Sequence, residues 1–481
     1  MTTKAKNKKH APSSDLIDQF AAIVGEANAV RDVADMAAYL TELRHLYTGK
    51  ASLVLRPGST NEVSQILKLA NETSTCIVPQ GGNTGLVGGQ IPFDHGEEII
   101  LSLTRMNKVR AIDPEGNTMT LDAGVVLEQA QAAADQVDRY FPLSLPSEGS
   151  CQIGGNLSTN AGGTAVLAYG NARDMVLGLE VVLADGRIWE GLRTLRKDNT
   201  GYDLKDLFIG AEGTLGIITG AVLKLFPKPE ERATAFTGLK SLEDAARFFG
   251  LARQACGGEL TAFEIIPRFG IELVLRHGNQ VRHPLSEEYD WYVLIELTGL
   301  EATGATNTML EKLLGEALEE EYLQDAVIAA SIAQRTEIWR LRELLSEVQS
   351  LEGGSIKHDV SVPIALIPEF INRANDLVQV LVPGSRPVPF GHYGDGNIHY
   401  NVSQPVEMER ENFMAQWDAI CAGVHEIVLA LNGSISAEHG IGRMKRETLK
   451  KVKSEVEIGM MQQIKDLFDP NGILNPGKIF P

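Results

Sequence analysis

The sequence predicts an α+β fold in at least two domains, and three observations carry that prediction. A β-α-β pattern opens the first domain, where a strand at 53–55, a helix beginning after Ser59 and a strand at 76–78 precede a glycine-rich loop. Strands and helices alternate again over residues 233–330, which is typical of a largely antiparallel sheet. A Pro-Lys-Pro segment at 227–229 marks a boundary between these regions. The 481 residues suffice for two or three domains of roughly 150 residues each.

Charge and composition exclude several classes of partner. The 44 basic and 63 acidic residues give a formal net charge of −19, which argues against nucleic acid or an anionic membrane as a bulk partner. A small anionic substrate stays compatible, because a few local Arg and Lys side chains can bind it. No window approaches 18 consecutive apolar residues, so the sequence predicts no transmembrane segment. The four cysteines are widely spaced and are predicted to be reduced thiols.

The N-terminus carries no recognisable targeting signal. Residues 1–10 are lysine-rich and polar, and neither an apolar nor an arginine-rich amphipathic segment follows them. We therefore expect a frayed tail over these residues and a cytoplasmic, bacterial-type location. A helix with Ser14 as its N-cap is predicted next.

The glycine-rich loop at 79–89 is the first candidate binding element. It holds five glycines in the nine residues 81–89, so its backbone can approach a ligand closely and turn successive N–H groups toward an anion such as a pyrophosphate. It lacks both the Gly-Lys-Ser/Thr ending of a P-loop and the G-x-G-x-x-G of a dinucleotide fold. A tight connection without any ligand is the alternative, and the loop alone does not decide between the two.

A second candidate wall lies at 146–163. This segment consists mainly of small residues with Ser, Thr and Asn donors, and we expect it to be irregular. Its composition suits one side of a site for an extended, polar cofactor. A further glycine-bounded loop at 210–216 then enters a predicted strand at 217–226.

Two histidines flank a predicted β-turn within residues 390–402. Asp395-Gly396 is a strong signal for a two-residue hairpin turn, since both residues tolerate positive φ. That turn would pair His392 with His399 and bring their Cβ atoms to about 5 Å, close enough to share one divalent metal. A simple surface pair of histidines is the alternative.

Further polar side chains accompany this predicted hairpin. Asn401 shares the face of His399, while Glu438 and His439 downstream offer a carboxylate and another imidazole. Two histidines and one glutamate with open positions would form a catalytic type of metal site. Adjacent residues of an extended loop point apart, so Glu438 can bind metal while His439 faces a substrate.

A helix and a strand between these regions offer anion-binding groups. A helix is predicted from Thr336 to about residue 352, with Arg342 and Ser346 as neighbours on one face. Pairing of Arg342 with a nearby glutamate is the alternative to a binding role. The following strand at 355–363 alternates so that one polar face, turned either to solvent or to a site, carries Lys357, Asp359 and Ser361.

At this point a family resemblance can be stated. The loop at 79–90, the segment at 146–163 and the run Ala-Glu-Gly-Thr-Leu-Gly-Ile-Ile-Thr at 211–219 resemble the FAD-binding domain of the vanillyl-alcohol oxidase and p-cresol methylhydroxylase superfamily. The resemblance implies a two-subdomain FAD-binding domain of the p-cresol methylhydroxylase type and an α+β substrate-binding cap with a largely antiparallel sheet. Some members attach the flavin through a histidine of the first loop, where this chain has Asn83, so noncovalent FAD is implied. The implied FAD contacts are Gly81, Gly82, Asn83, Thr84, Gly85, Pro146, Gly149, Gly154, Gly155, Ser158, Asn160, Ala161, Gly162, Glu212, Gly213, Ile218 and, near the C-terminus, Asn475.

Three motifs in the second half of the chain resemble the D-2-hydroxyacid dehydrogenase branch, which includes D-2-hydroxyglutarate and D-lactate dehydrogenases. They are Gly-His-Tyr-Gly-Asp-Gly-Asn-Ile-His at 391–399, Ala-Glu-His-Gly-Ile-Gly at 437–442 and Asp-Pro-Asn-Gly-Ile-Leu-Asn-Pro-Gly-Lys at 469–478. The resemblance implies that a divalent metal, expected to be zinc, is bound by His392, His399 and Glu438. It also implies that Asn401 contacts substrate and that His439 is both the catalytic base and a substrate contact.

The resemblance implies a concrete reaction. The metal would bind the α-hydroxyl and a carboxylate oxygen and lower the hydroxyl pKa, His439 would take the proton, and the C2 hydride would move to flavin N5. Arg342, Ser346 and Lys357 are implied substrate contacts, and the two cations could hold a second carboxylate. This favours D-2-hydroxyglutarate, with Ser346 replacing an expected threonine. The alternatives are a D-lactate, D-malate or glycolate dehydrogenase, or a FAD-binding subunit of a multi-protein glycolate oxidase.

The same resemblance suggests a domain plan and partners. We predict an N-terminal tail and helix at 1–46, a FAD-binding domain at 47–228, a substrate- and metal-binding cap with C-terminal domain at 229–455, and a segment at 456–481 that returns to the FAD domain. The expected electron acceptor is an electron-transfer flavoprotein or a quinone, and a homodimer is compatible with these expectations.

Overall fold

A computed structural model describes residues 11–480 of the chain. The predicted N-terminal tail of residues 1–10 lies outside the described residues. The chain divides into two compact units. The first unit comprises the chain up to Gly163, Gly170–Pro227 and the part from Glu438 onward, and the second comprises Thr164–Tyr169 and Lys228–Ala437.

The part of the chain up to Pro227 builds most of the first unit. Its helices are α1 (Ser14–Val24), α2 (Val33–Leu40), α3 (Thr60–Thr73), α4 (Leu127–Asp135), α5 (Ile153–Thr159), α6 (Val166–Tyr169) and α7 (Lys205–Phe208), of which α6 belongs to the second unit. Its strands are β1 (Ala29–Val30), β2 (Leu53–Leu55), β3 (Cys76–Gln80), β4 (Glu98–Ser102), β5 (Val109–Asp113), β6 (Thr118–Asp122), β7 (Arg139–Tyr140), β8 (Val176–Val182), β9 (Ile188–Gly191), β10 (Ile217–Lys224) and β11 (Phe226–Pro227).

Two main sheets organise the first unit. The predicted β-α-β pattern forms a four-stranded sheet in the order β1-β2-β4-β3, in which β4 runs parallel to both β2 and β3. The strand residues Leu53, Val54 and Leu55 are all fully buried, as expected of parallel strands that are covered on both faces. The second sheet is antiparallel, in the order β5-β6-β10-β8-β9.

Local caps explain where the first helices begin. Helix α1 begins at Ser14, and its N-cap is Ser13 instead of the predicted Ser14. The Ser13 hydroxyl caps the helix by accepting the N–H of Leu16. Helix α3 is capped by Ser59 in the same way, through the N–H of Glu62 at 3.2 Å. Its buried face carries Val63, Ile66, Leu67 and Ala70, with the spacing of one helical stripe.

The second unit is built around one seven-stranded sheet. Its strands are β12 (Glu231–Leu239), β13 (Leu260–Pro267), β14 (Trp291–Gly299), β15 (Asp325–Ile328), β16 (Ser355–Ser361), β17 (Arg386–His392) and β18 (Asn397–Ser403). They lie in the order β15-β12-β14-β13-β17-β18-β16, and every neighbouring pair is antiparallel. The predicted α+β class with a largely antiparallel sheet is confirmed.

Helices pack on both faces of this sheet. They are α8 (Leu242–Cys256), α9 (Arg268–His277), α10 (Ala305–Glu319), α11 (Ile332–Glu343), α12 (Leu345–Val348), α13 (Ile367–Leu381), α14 (Arg410–Met414) and α15 (Trp417–Ala430). Alternation along β13 sends Phe263 and Ile265 into the core with α8, α10, α13 and α15, and Ala262 and Ile266 into the core with α9, α11 and α12. Glu264 therefore points to the α11 side.

The last two helices, α16 (Arg446–Val452) and α17 (Glu455–Phe468), return to the first unit. Within residues 11–480, every helix is either too short or too polar to cross a bilayer.

Candidate active site

One face of the strands β16, β17 and β18 gathers the polar side chains that the sequence singles out. His399 lies between two cross-strand partners, Asp359 of β16 and Phe390 of β17. Asn401 lies opposite Lys357 in the next row of the same face. Because side chains alternate along a strand, these residues share one face, while their neighbours in sequence fill the core on the other side.

The predicted cross-strand pair of His392 and His399 is wrong. His399 pairs with Phe390, so the register differs by two residues from the predicted one. The turn is longer than predicted, because Tyr393–Asp395 forms a 3-10 turn that ends at Gly396 with φ of 88°. Tyr393 is fully buried and its ring lies 5.6 Å from that of Phe249, which pulls the turn into the core.

The two histidines still lie side by side. A shift of two residues keeps both side chains on the same face, whereas a shift of one would have separated them. Their ring centroids are 5.6 Å apart at an interplanar angle of 74°. His392 has instead become the cross-strand partner of Glu264 on β13.

Glu264 joins two of the predicted site residues. Its Oε1 lies 2.6 Å from Nδ1 of His392, and its Oε2 accepts a hydrogen bond of 2.6 Å from Nε of Arg342. Burial alone would raise the pKa of Glu264, but the neighbouring His392 and Arg342 and their hydrogen bonds lower it to about 2. The ionised carboxylate holds the proton of His392 on Nδ1, which leaves Nε2 as the nitrogen with a lone pair for a metal.

Arg342 is held on two sides. It forms an ion pair with Glu264, and its guanidinium carbon lies 4.8 Å from the ring centroid of Phe390. The stacking of a planar cation on an aromatic ring is attractive. The predicted single helix around it begins earlier, at Ile332, and is divided at Leu344 into α11 and α12. Pairing with a glutamate was the structural alternative for Arg342, and the structure shows that pair.

Lys357 and Asn401 are positioned by the segment that follows α12. Nζ of Lys357 donates to the backbone carbonyl of Ser346 at 3.0 Å. Nδ2 of Asn401 donates to Oε1 of Gln349 at 2.8 Å, and Gln349 is itself fully buried. These contacts fix two of the predicted substrate contacts to one short stretch of chain.

Asp359 adds a carboxylate beside His399. One of its oxygens lies within 4.8 Å of a ring nitrogen of His399, and Oδ1 accepts a hydrogen bond of 3.0 Å from Nδ2 of Asn397. The sequence placed Asp359 on the polar face but did not assign it a role.

In the first unit, the loop with Glu438 and His439 is anchored through its backbone. The N–H groups of Ile441 and Gly442 both donate to the carboxylate of Glu212, each at 2.7 Å. Oε2 of Glu438 accepts the N–H of Gly163 at 3.1 Å, and its Oε1 lies 3.7 Å from Nε2 of His439. Burial raises the pKa of Glu212 to about 7 against the opposing effect of the two N–H donors.

The glycines of the two predicted cofactor segments differ in the space that surrounds them. A Cβ on Gly82 would lie 1.9 Å from the carbonyl oxygen of Ser150, so only glycine lets the loop at 79–89 pass the segment at 146–163. A Cβ on Gly155 would meet nothing within 4 Å. The backbone is thus open on one side at Gly155, as a cradle for a cofactor requires.

The expected irregular segment at 146–163 instead contains the short helix α5. Its Ile153 and Leu157 are buried, while Gly154 lets the helix approach Ala123, where a Cβ would come within 2.7 Å. Small residues therefore serve helix packing, which composition alone did not reveal.

Buried acceptors in this region fit a cofactor that carries N–H or O–H donors. Among the described residues, Oε1 of Gln152 and Oδ1 of Asn475 are buried without a hydrogen-bond partner. An unpaired buried acceptor costs about 1–3 kcal/mol, and a bound flavin has donors that can satisfy it. The side-chain nitrogen of Asn475 donates to the carbonyls of Gly89 and Glu212.

Sequence reasoning missed Glu264 and Gln349 and gave Glu212 only a cofactor role. Glu264 carried one signal, because it is a lone acidic residue in the apolar strand Leu260–Pro267, where a charge needs a partner. Gln349 carried no comparable signal. Both side-chain oxygens of Glu212 accept hydrogen bonds from the loop at 441–442, and only the fold brings this loop next to Glu212.

Comparisons with known proteins identify the families of the two parts of the chain. Residues 51–191 match the FAD binding domain, and residues 228–479 match the C-terminal domain of FAD linked oxidases. The chain is 40% identical to the D-2-hydroxyglutarate dehydrogenase of Arabidopsis thaliana over 97% of this chain and 81% of the relative, and 40% identical to that of Danio rerio over 90% and 79%. The fold matches p-cresol methylhydroxylase with a TM-score of 0.76 at 17% identity, over 97% of this chain and 96% of that protein.

The comparisons also correct one expectation. The predicted cytoplasmic, bacterial-type location is contradicted, because the relatives from Arabidopsis thaliana and Danio rerio are both named as mitochondrial.

Proposed function

Since the chain belongs to the family of FAD-linked oxidases and is an FAD-dependent 2-hydroxyacid dehydrogenase, we propose that its substrate is D-2-hydroxyglutarate, which it oxidises to the 2-oxo acid. The observation that carries this choice is the fixed cation Arg342 beside the histidine face of the second unit. A guanidinium held in this way suits a second carboxylate, which D-2-hydroxyglutarate has and D-lactate lacks.

The cofactor is FAD, and we propose that it is bound without a covalent bond. Bound FAD supplies the hydride acceptor, N5 of the flavin. Asn83 supports a noncovalent site, because its amide nitrogen donates to the carbonyls of Ala38 and Thr41 and its oxygen accepts from Gln90. We assign the FAD contacts to the residues that the family resemblance implies, among which Gly155 has open space beside it and Asn475 has an unpaired buried acceptor.

The metal site is the second part of the proposal. Two imidazoles and one carboxylate, from His392, His399 and Glu438, are a donor set that suits zinc with positions left for substrate. The Glu264 carboxylate supports the role of His392, since it fixes the tautomer with a metal-binding Nε2. A metal held there would bind the α-hydroxyl and lower its pKa.

We assign the base to His439. The loop that carries it is anchored by two hydrogen bonds from its backbone to Glu212, which limits the positions that the imidazole can adopt. A neutral imidazole has a lone pair that can accept the hydroxyl proton.

The distal carboxylate is assigned to Arg342 and Lys357, with Ser346 and Asn401 as further substrate contacts. The contacts of Lys357 with the Ser346 carbonyl and of Asn401 with Gln349 support this assignment, because they hold both side chains on the polar face. For the reoxidation of the flavin we propose an electron-transfer flavoprotein or a quinone.

A substrate panel tests the proposal. Purified chain should be yellow with bound FAD, and with a dye as acceptor its kcat/KM should be highest for D-2-hydroxyglutarate among D-2-hydroxyglutarate, D-malate, D-lactate and glycolate. A preference for D-lactate or glycolate would overturn the substrate assignment. Colourless protein that does not take up FAD would overturn the cofactor assignment, and an isolated chain that binds FAD but turns over none of the four acids would favour a subunit of a multi-protein oxidase.

A further inference from the structure

Glu264 occupies a position from which one carboxylate contacts two different parts of the proposed site. It lies on β13 opposite His392 of β17 and is 1% exposed. Its two oxygens divide their contacts, one with Nδ1 of His392 and the other with Nε of Arg342, both at 2.6 Å. The two partners are 128 and 78 residues away along the chain, so only the fold links them.

The contact through Nε determines which edge of Arg342 is left for a ligand. A guanidinium presents two donor edges, and the Nη1/Nη2 edge is the one that binds a carboxylate in a bidentate manner without using Nε. Among the described residues, the guanidinium of Arg342 has no hydrogen bond or ion pair apart from the one with Glu264. Its side chain is 9% exposed, and Phe390 lies under its plane. The Nη groups therefore have little freedom to move toward a shorter or longer ligand.

The contact between Glu264 and His392 fixes the metal-binding end of the proposed site. A carboxylate on Nδ1 orients the imidazole and its Nε2 lone pair, as carboxylates behind metal-binding histidines do. Because both contacts belong to one rigid carboxylate on a central strand, the spacing between Nε2 of His392 and the Nη edge of Arg342 is set by Glu264.

We propose that Glu264 is a positioning residue that sets substrate length, matching the site to an acid with two methylenes between C2 and the distal carboxylate. This inference rests on the proposed function, in which His392 binds metal and Arg342 binds the distal carboxylate. It adds a selection against D-malate, which has one methylene fewer and cannot reach both ends at once. It also means that one carboxylate positions both the proposed metal ligand His392 and the proposed distal contact Arg342.

A neighbouring carboxylate provides a matched control. Glu296 of β14 is 4% exposed and accepts hydrogen bonds from Nε and Nη2 of Arg335 at 2.7 and 2.9 Å and from the Trp339 indole. It is thus a buried carboxylate paired with an arginine in the same sheet. Among the described residues, the side chains that donate hydrogen bonds to the Glu296 carboxylate are Thr234, Arg335 and Trp339, and none of them is a predicted metal ligand or substrate contact.

The experiment compares Glu264→Gln with Glu296→Gln in the FAD-loaded, metal-loaded enzyme. In Glu264→Gln the amide nitrogen must face either His392 or Arg342, so one contact is lost while size is kept. We expect zinc retention, measured by metal analysis after dialysis against graded chelator, to weaken roughly 10–100-fold. We expect the ratio of kcat/KM for D-2-hydroxyglutarate over D-malate to fall at least tenfold, within the roughly 10–200-fold range that one methylene can provide.

Glu296→Gln should lower thermal stability without changing either zinc retention or the substrate ratio. Equal behaviour of the two variants in both measurements would overturn the inference. If Glu264→Gln does not fold, Glu264→Asp, which keeps the charge but shortens the reach by one methylene, is measured in the same way. The same two outcomes then apply.

A second arm separates this inference from the proposed function. Arg342→Lys removes the second donor edge, and in that background Glu264→Gln should no longer change the substrate ratio although it still weakens zinc retention. If Arg342→Lys leaves kcat/KM for D-2-hydroxyglutarate unchanged, the proposed function fails at the distal carboxylate. If Arg342→Lys lowers that value but Glu264→Gln behaves like Glu296→Gln, only the role of Glu264 is overturned.

Discussion

The carboxylate of Glu212 accepts the backbone N–H of Gly442 at 2.7 Å, and its other oxygen accepts the preceding N–H with the same length. Glu212 belongs to the loop that enters β10, and its own carbonyl accepts from Asn475. Glu212 therefore connects the loop before β10 and Asn475 to the loop that carries the proposed base.

Glu212→Gln should damage catalysis through the loop at 441–442, which both of its side-chain oxygens hold, while the other proposed contacts keep FAD bound. The amide keeps one acceptor but turns an NH2 group toward the second backbone N–H, so the loop loses a hydrogen bond and shifts. A misplacement of about 1 Å can cost up to roughly 10²-fold in rate. We expect kcat to fall by about that order with the FAD absorbance per chain unchanged, and Glu115→Gln, at an exposed position, should have no effect. Loss of FAD in step with activity would show that Glu212 acts on the cofactor instead.

We also predict that the difference in stability between Glu212→Gln and the natural protein depends on pH. The pKa of Glu212 is raised from its ordinary value to about 7 by burial, so the folded protein holds this proton more tightly than the unfolded chain. Stability contributed by the group therefore falls as pH rises from about 4.5 to about 7 and is constant above, by on the order of 3 kcal/mol. The stability of Glu212→Gln relative to the natural protein should rise between pH 5 and pH 8 in urea denaturation. An equal difference at both pH values would contradict the assigned pKa.

Lys357→Ala should discriminate between two acids. If Lys357 holds the distal carboxylate, its loss removes a charged hydrogen bond worth roughly 10–150-fold in kcat/KM for D-2-hydroxyglutarate only. Activity on D-lactate should change less than about threefold, since that acid has no second carboxylate. Lys312→Ala, on an exposed face of α10, is the control. Similar losses on both acids would refute the distal role.

Metal removal should abolish turnover reversibly. Two histidines and a glutamate release a divalent ion to a strong chelator, and the α-hydroxyl then keeps its high pKa. We expect activity to disappear on dialysis against chelator and to return with zinc, while the flavin spectrum stays unchanged. Full activity in metal-free protein, verified by elemental analysis, would remove the metal from the mechanism.

Lys478 is expected to destabilise the folded protein at neutral pH. Burial lowers its pKa to about 8, helped by Arg443 and Arg446. Its Nζ has no hydrogen-bond partner among residues 11–480 and lies 4.3 Å from the centre of the Phe93 ring. The unfolded chain binds this proton more tightly, so stability rises as pH increases from about 8 to about 10.5.

Lys478→Met keeps the length of the side chain without its charge. We expect it to be more stable than the natural protein at pH 7 by up to about 3 kcal/mol, with a smaller gain at pH 9.5, as measured by urea denaturation. Lys197→Met, at an exposed position, should change little at either pH. A destabilised Lys478→Met at pH 7 would mean that the ammonium group has a partner that the fold brings to it.

Much of the site could be predicted from the sequence because its information is local. Strand alternation placed Lys357, Asp359 and Ser361 on one face, and the parity of His392 and His399 kept them together even though the register was wrong by two residues. The register itself could not be predicted from the Asp-Gly turn signal, because burial of Tyr393 against Phe249 and Phe263 outweighs a local turn preference.

The sequence by itself determined the fold class, since periodicity is a property of neighbouring residues, and the resemblance of its glycine-rich segments and motifs to a known family implied FAD binding and the residue types of the proposed site. Only the tertiary structure decided which carboxylates hold these residues in place. Glu264 meets His392 and Arg342, and Glu212 meets Ile441 and Gly442, across separations of 78 to 230 residues. A buried charge must find its partners in space, and no pattern of neighbours along the chain specifies which ones the fold will bring to it.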